Sequence, residues 1–247
     1  MNLFKKNTEI IVHGSPDERV HDFSCVHVWF CDLDDGLHLD LTSRSLLSVS
    51  QRNRALRLKN ISDRQRFVTR CAIVNHVIGS ISGIAPETLT FQTGPNGKPE
   101  LVFPDGFDRP VVGLNFNLSH SENILALAVA FNREVGIDIE RMNPEVDFLG
   151  IAEAHFAAKE FDWLRATPQK KRAISFYRLW TRKEALLKMA GSGIASELTP
   201  EILTDPEWTL YSLEFKFDEK EIVGALALGG EVVRDCELPA TLTAETF

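Results

Sequence analysis

A chain of 247 residues, 44% of them hydrophobic, is long enough for one large domain or two moderate ones, each with its own core. A formal net charge of −8 speaks against general nucleic-acid binding, which needs a basic footprint. The longest apolar run, Ile124 to Phe131, is too short to cross a bilayer as a helix.

Residues 1–25 read as a polar, extended or poorly ordered arm. Lys5 and Lys6 are followed only by the short run Ile10-Ile11-Val12 and no small-residue cleavage site, so no signal peptide is expected. Cys25, Cys31, Cys71 and Cys236 form no C-x-x-C pair and read as reduced, mostly buried thiols of a cytoplasmic protein. Val26–Cys31, rich in β-branched and aromatic residues, is the first predicted strand. A helix is predicted over Leu41–Arg57 with Thr42 or Ser43 as its N-cap. A second, capped by Ser62 or Asp63, runs to about Ser82. In the second, Phe67, Cys71, Val74, Ile78 and Ile81 recur at steps of four and three, an apolar stripe. Between Gln51 and Arg70 lie Arg52, Arg54, Arg57, Lys59, Arg64, Arg66 and Arg70 against the single acid Asp63. Such an island suits an anionic ligand at a helix N-terminus, an acidic partner, or a solvated helix face.

Thr88–Phe91 and Leu101–Phe103 read as strands around the turn Gly94–Pro99, with Asn96-Gly97 as the hairpin signal. The Gly/Lys spacing there is wrong for a P-loop. In Leu114–Ser121, alternation puts Phe116 and Leu118 on one face and Asn117 and Ser119 on the other. Ser119 and His120 do not make a hydrolase pair, because strand neighbours point to opposite faces and no G-x-S-x-G elbow is present. Ile124–Phe131 is a buried strand, and Asn132-Arg133-Glu134 turns the chain into Val135–Arg141. On that strand Asp138 and Glu140 share one face while Ile137 and Ile139 take the other. Paired carboxylates without nearby Cys or His suit either a solvated edge or a hard cation such as Mg²⁺ or Mn²⁺.

Helices follow near Phe148–His155 and Lys159–Ala166, then a long one ending at Ala190 before the candidate C-cap Gly191. On it Trp180, Glu184 and Lys188 share a face at i, i+4, i+8. Strands Trp208–Phe217 and Ile222–Leu228 close the pattern. The runs Ile124–Ala130 and Ile222–Leu228 echo one another, which suggests two similar α+β halves split near Glu134, residues 26–133 and 134–247.

Three blocks, Asn117-Leu-Ser119-His120-Ser121, Val135-Gly-Ile-Asp138-Ile-Glu140 and Phe176-Tyr-Arg-Leu-Trp180-Thr-Arg-Lys183-Glu184-Ala-Leu-Leu-Lys188, resemble in order and spacing the signature of 4′-phosphopantetheinyl transferases. The likeness is to the larger, surfactin-synthetase-activating type. Gly97-Lys98-Pro99 matches that family's G-K-P turn, and the match runs over about residues 26–230. The resemblance implies an α+β pseudo-dimer, two similar halves each with a small antiparallel sheet against a long helix, with coenzyme A in the cleft between them. It implies metal ligation, by Mg²⁺ or Mn²⁺, at Asp138, Glu140 and Glu184. It implies nucleotide or phosphate contacts at Lys98, Ser119, His120, Asp138, Lys183 and Lys188, and at Arg54, Arg66 and Arg70, of which Arg70 follows Thr69 where the family often has glycine. Glu184, Lys188 and His120 are the expected catalytic groups. The implied reaction transfers phosphopantetheine to a serine of an acyl or peptidyl carrier protein, by a monomer that needs neither nucleic acid nor membrane. The expected docking region is Phe148–Trp163, where Phe156, Lys159, Phe161 and Trp163 would reach the carrier unless the aromatics among them belong to the core. Two rival readings remain: another metal-dependent phosphoryl or nucleotidyl transferase, and a non-catalytic module that binds coenzyme A or a carrier.

Overall fold

Strand β6 (Ile124–Phe131) is buried along its whole length, and the fold is built on its two faces. The computed structural model describes residues 10–13, 15–34, 45–94, 98–104, 113–191 and 209–229. Because strand side chains alternate, Ile124, Ala126, Ala128 and Ala130 join a core shared with a second sheet, whereas Leu127, Val129 and Phe131 pack beneath a long helix. Strands β2 (Val26–Asp32) and β5 (Leu114–Ser121) flank β6, both antiparallel to it. Strand β1 (Ile10–His13) runs parallel to β2 with Ile10 beside Val26, so the N-terminal arm contributes a strand that its mixed sequence did not predict. Its anchor is tertiary: the His13 and His27 rings are buried and share a hydrogen bond of 2.8 Å.

Helix α1 (Val49–Arg57) is shorter than predicted. Ser48 caps it by accepting the Gln51 N–H, and the Gln51 side chain accepts the Ser48 N–H in return. Thr42 and Ser43, the predicted caps, lie outside the described residues. Helix α2 (Ile61–Ser82) is capped by Asn60, which accepts the N–H groups of Ser62 and Asp63, so those two occupy the first turn rather than the cap. The stripe Phe67, Cys71, Val74, Ile78 and Ile81 is buried, as its spacing requires. Strands β3 (Thr90–Thr93) and β4 (Pro99–Val102) pair antiparallel. The predicted strand at Thr88–Phe91 begins later because Pro86–Thr88 forms a 3₁₀ turn. Asn96-Gly97 lies outside the described residues.

The second sheet has the order β7-β9-β8, from β7 (Val135–Arg141), β8 (Thr209–Phe217) and β9 (Lys220–Leu228). Between β7 and β8 come α3 (Phe148–His155), α4 (Ala158–Ala166) and α5 (Gln169–Ala190). Val135, Ile137, Ile139, Tyr211, Leu213 and Leu226 meet the first sheet. On the outer face Ala225 and Ala227 pack against Ala185, Leu186 and Met189 of α5. The layers are therefore helix, sheet, sheet, helix, in the mixed α+β class that the pattern predicts. Helix α5 ends at Gly191 in the left-handed region, φ 65°, the predicted C-cap.

One connectivity occurs twice. An early strand, a helical segment and a closing hairpin give the orders β2-β6-β5 and β7-β9-β8. Strand β1 and the hairpin β3-β4 have no counterpart among the described residues of the second sheet. Among the described residues no helix is long and apolar enough to cross a membrane. Cys31 and Cys71 are in no disulfide among the described residues, and burial pushes their thiols up to about 12 and about 11. Cys236 lies outside the described residues.

Candidate active site

Alternation along β7 turns Ile137 and Ile139 into the core and leaves Asp138 and Glu140 on the face toward α5. Helix α5 crosses β7 where Gly136 has no side chain. A β-carbon there would lie 2.9 Å from the Met189 Cα and would overlap the Ala185 carbonyl oxygen and the Met189 nitrogen. This close approach brings Glu184 and Lys188 to the carboxylates of β7. The Lys188 Nζ donates to Asp138 Oδ1 at 2.6 Å and to Ser119 Oγ at 3.0 Å. The Ser119 hydroxyl donates to the same Asp138 Oδ1 at 2.8 Å. Asp138 Oδ2 is buried and has no hydrogen-bond partner.

Asp138 and Glu184 are only 4% and 5% exposed. Burial raises the Asp138 carboxyl above its ordinary range, although Lys188 and Ser119 pull it back. Burial and then the charge of Asp138 push Glu140 up to about 7, with Glu184 adding to the effect. Glu184 is raised by burial and by Asp138, opposed by Lys188. Three acidic groups thus share one ammonium, and one buried carboxylate oxygen is unmatched. An all-oxygen donor set with surplus negative charge fits a hard divalent cation at Asp138, Glu140 and Glu184. As the side chains stand, no three His, Cys, Asp or Glu groups among the described residues are drawn together tightly enough to hold one. Lys188 is the positive charge beside Asp138.

The other predicted residues fall into three groups. Lys98, just before β4, reaches to the C-terminal end of α5, with its Nζ 2.5 Å from Glu134 Oε2 and 3.2 Å from the Met189 carbonyl. Arg54 and Arg70 lie 5.2 and 5.5 Å from the centre of the Phe67 ring, so two guanidinium groups converge there, while Arg66 is held by two hydrogen bonds to Asp34. His120 is exposed on the face of β5 opposite Ser119. Gly97 of the G-K-P turn lies outside the described residues.

Lys183 is a correction. It was expected at the nucleotide, but its ammonium is fully buried 2.7 Å from Glu160 Oε2 and lies over the Phe156 ring, turned away from Glu184 by helix geometry. Replacing it by Met would leave Glu160 buried without its countercharge. Lys183→Met is expected to cost about 3–5 kcal/mol in urea unfolding, and Lys183→Met with Glu160→Met to recover much of that. Phe156 takes the core alternative: it is 7% exposed, stacked on Phe176 and near Trp180, and is not docking surface. Trp180 wedges against Phe176 and His155 in the same cluster. Lys159 and Trp163 are exposed and Phe161 is half-buried.

Two residues beside the site escaped prediction. Asn117 and Ser121 share with Ser119 the face of β5 that meets β7. Asn117 Oδ1 accepts the Ile137 N–H at 3.0 Å, Ser119 Oγ the Ile139 N–H at 3.4 Å, and Ser121 Oγ the Arg141 N–H at 3.0 Å. Strand β7 is an edge strand, and these side chains take the place of a neighbouring backbone. The available signal was three polar residues at period two on a strand face that should be core.

Comparison with known proteins bears on the same residues. Residues 134–225, which hold Asp138, Glu140, Glu184 and Lys188, match the profile of a family described as the 4′-phosphopantetheinyl transferase superfamily. The chain is 34% identical over 215 residues to the 4′-phosphopantetheinyl transferase HetI of Nostoc sp., an alignment that covers 83% of this chain and 88% of that protein. It is 33% identical over 184 residues to the putative 4′-phosphopantetheinyl transferase slr0495 of Synechocystis sp., covering 74% and 72%. To the 4′-phosphopantetheinyl transferase AcpT of Escherichia coli it is 28% identical over 184 residues, covering 74% and 80%.

Proposed function

Since the chain belongs to the 4′-phosphopantetheinyl transferase superfamily, its activity is the transfer of phosphopantetheine from coenzyme A to a carrier protein, and we propose how its residues divide that work. The observation that carries the assignment of roles is the meeting of Asp138 and Glu140 on β7 with Glu184 and Lys188 on α5. Asp138, Glu140 and Glu184 would hold Mg²⁺ or Mn²⁺. When bound, the ion neutralises pyrophosphate oxygens and so makes the phosphorus easier to attack.

In the step itself the carrier serine oxygen forms a bond to the β-phosphorus of coenzyme A. The bond from that phosphorus to the bridging oxygen breaks, and adenosine 3′,5′-bisphosphate leaves with the electron pair. Glu184 takes the serine proton, directly or through water. Lys188 balances the charge on the leaving side, and positioning supplies most of the remaining rate. Lys98 and Ser119 contact the nucleotide phosphates, with His120 exposed at the margin of β5. Arg54 and Arg70 around Phe67, with Arg66 beside them, take the 3′-phosphate end. The carrier docks near α3 and α4, where Lys159 and Trp163 are exposed. A cytoplasmic monomer of two related halves completes the proposal, supported by the repeated connectivity and the free thiols.

The test is incubation with coenzyme A, Mg²⁺ and a panel of apo carrier proteins. Mass spectrometry is expected to show a gain of roughly 340 Da on the carrier, as this phosphoryl transfer requires. Excess chelator is expected to stop the transfer and added Mg²⁺ or Mn²⁺ to restore it. Turnover that survives chelation would remove the metal from the mechanism.

A further inference from the structure

The three side chains that β5 lends to β7 are not equivalent. Asn117, Ser119 and Ser121 each accept one N–H from the open edge of β7, at Ile137, Ile139 and Arg141. A hydroxyl has one proton left to donate after it accepts. Ser119 gives its proton to Asp138 Oδ1 at 2.8 Å, and Ser121 gives its proton to Glu140 Oε2 at 3.0 Å. Asn117 makes the same kind of backbone bond but has no carboxylate beyond it, since position 136 is glycine.

We propose that Ser121 is a positioning residue for the divalent metal: its hydroxyl, fixed by the Arg141 N–H, holds the Glu140 carboxylate at the orientation from which that carboxylate coordinates. The inference rests on the metal reading given above. Glu140 lies near the end of β7, is only half-buried, and has no neighbour from α5 among its hydrogen bonds. Its side chain has three rotatable bonds, and an unheld glutamate would lose part of its affinity to ordering. Ser121 is 8% exposed and belongs to a strand paired along its length with β6, so it is a stiffer support than the carboxylate it holds. The carboxylates on the second sheet are thus oriented by serines of the first.

Mn²⁺ binding to the enzyme in the presence of coenzyme A, followed by electron paramagnetic resonance without any carrier protein, tests this. Ser121→Ala is expected to weaken Mn²⁺ about tenfold, the usual scale for losing an outer-shell hydrogen bond, and Ser121→Thr to restore it. Asn117→Ala removes an equivalent backbone partner and is expected to lower thermal stability while leaving Mn²⁺ affinity at the parent value. If Ser121→Ala does not fold, Ser121→Cys, a far weaker donor of similar size, is read the same way. Unchanged Mn²⁺ affinity in the folded Ser121 variant overturns the proposal, as does equal weakening by Asn117→Ala, which would make the ladder merely structural. A parent enzyme that binds no Mn²⁺ overturns the metal reading itself, and the role of Ser121 with it.

Discussion

At pH 8 in chelator, Glu140→Gln is expected to melt above the parent protein and yet to transfer phosphopantetheine at least about a hundredfold more slowly when metal is supplied. The stability half follows from linkage. Burial and neighbouring acids raise the pKa of Glu140 in the folded protein to about 7, above the ordinary glutamate value of 4.5. The folded protein therefore binds that proton more tightly than the unfolded chain. The resulting stability is fully present below about 4.5 and is lost as pH rises toward about 7, beyond which the curve is flat. Glutamine keeps the acceptor for Ser121 and removes the charge, so it should recover this loss. With allowance for partial solvent screening the gain is ~2 kcal/mol, or roughly 5 °C in Tm. The activity half follows because Glu140 is one of three proposed oxygen ligands and its charge is what draws the ion. Calorimetry across pH 5–8 in chelator checks the first half, and carrier-transfer kinetics with Mg²⁺ the second. A Tm in chelator that does not depend on pH for either protein would refute the electrostatic account.

Gly136→Ala is expected to damage both stability and turnover. The added carbon meets backbone of α5 at Ala185 and Met189, not a side chain that could rotate aside. Helix and strand must separate, and overpacking of this kind costs about 3 kcal/mol or more. The displaced residues adjoin Glu184 and Lys188, so the variant is expected to lose at least about a hundredfold in kcat even where it remains folded, because a shift near 1 Å at reacting groups is that costly. Denaturant unfolding and carrier-transfer kinetics would measure the two effects. A variant with parental stability would mean that α5 does not approach β7 so closely.

The parts of this arrangement that local pattern encodes could be read from the chain. The α2 stripe, the run Ile124–Phe131, the shared face of Asp138 and Glu140, and the Gly191 cap are each set by residues within one element. What escaped depends on partners distant in sequence. Strand β1 has four residues and exists because β2 offers an edge and His27 a partner for His13. Lys183 sits next to Glu184 in the chain, and only the packing of α4 on α5 shows that Glu160 buries it. Phe156 looked as available as Trp163, and only its packing against Phe176, Trp180 and Lys183 distinguishes them. The caps Ser48 and Asn60 were mistaken because several short polar residues precede each helix and any could serve. Ser121 carried no separate signal, since its meaning depends on strand β7 lying twenty residues further along the chain.

The face-to-face packing of the two sheets also has a consequence for biosynthesis. Val26, Val28, Phe30, Ile124, Ala126 and Ala128 are covered in the finished protein by residues of β7, β8 and β9. Translation delivers the first sheet complete when β6 emerges, with roughly 100 residues of its cover still to be made at ~5–20 residues per second. For roughly 5–20 s, therefore, a nascent chain displays a broad sticky surface bounded by open strand edges. Ribosomes that stall or terminate in that interval would release a product prone to aggregate, and the growing chain is the form of this protein most in need of a chaperone.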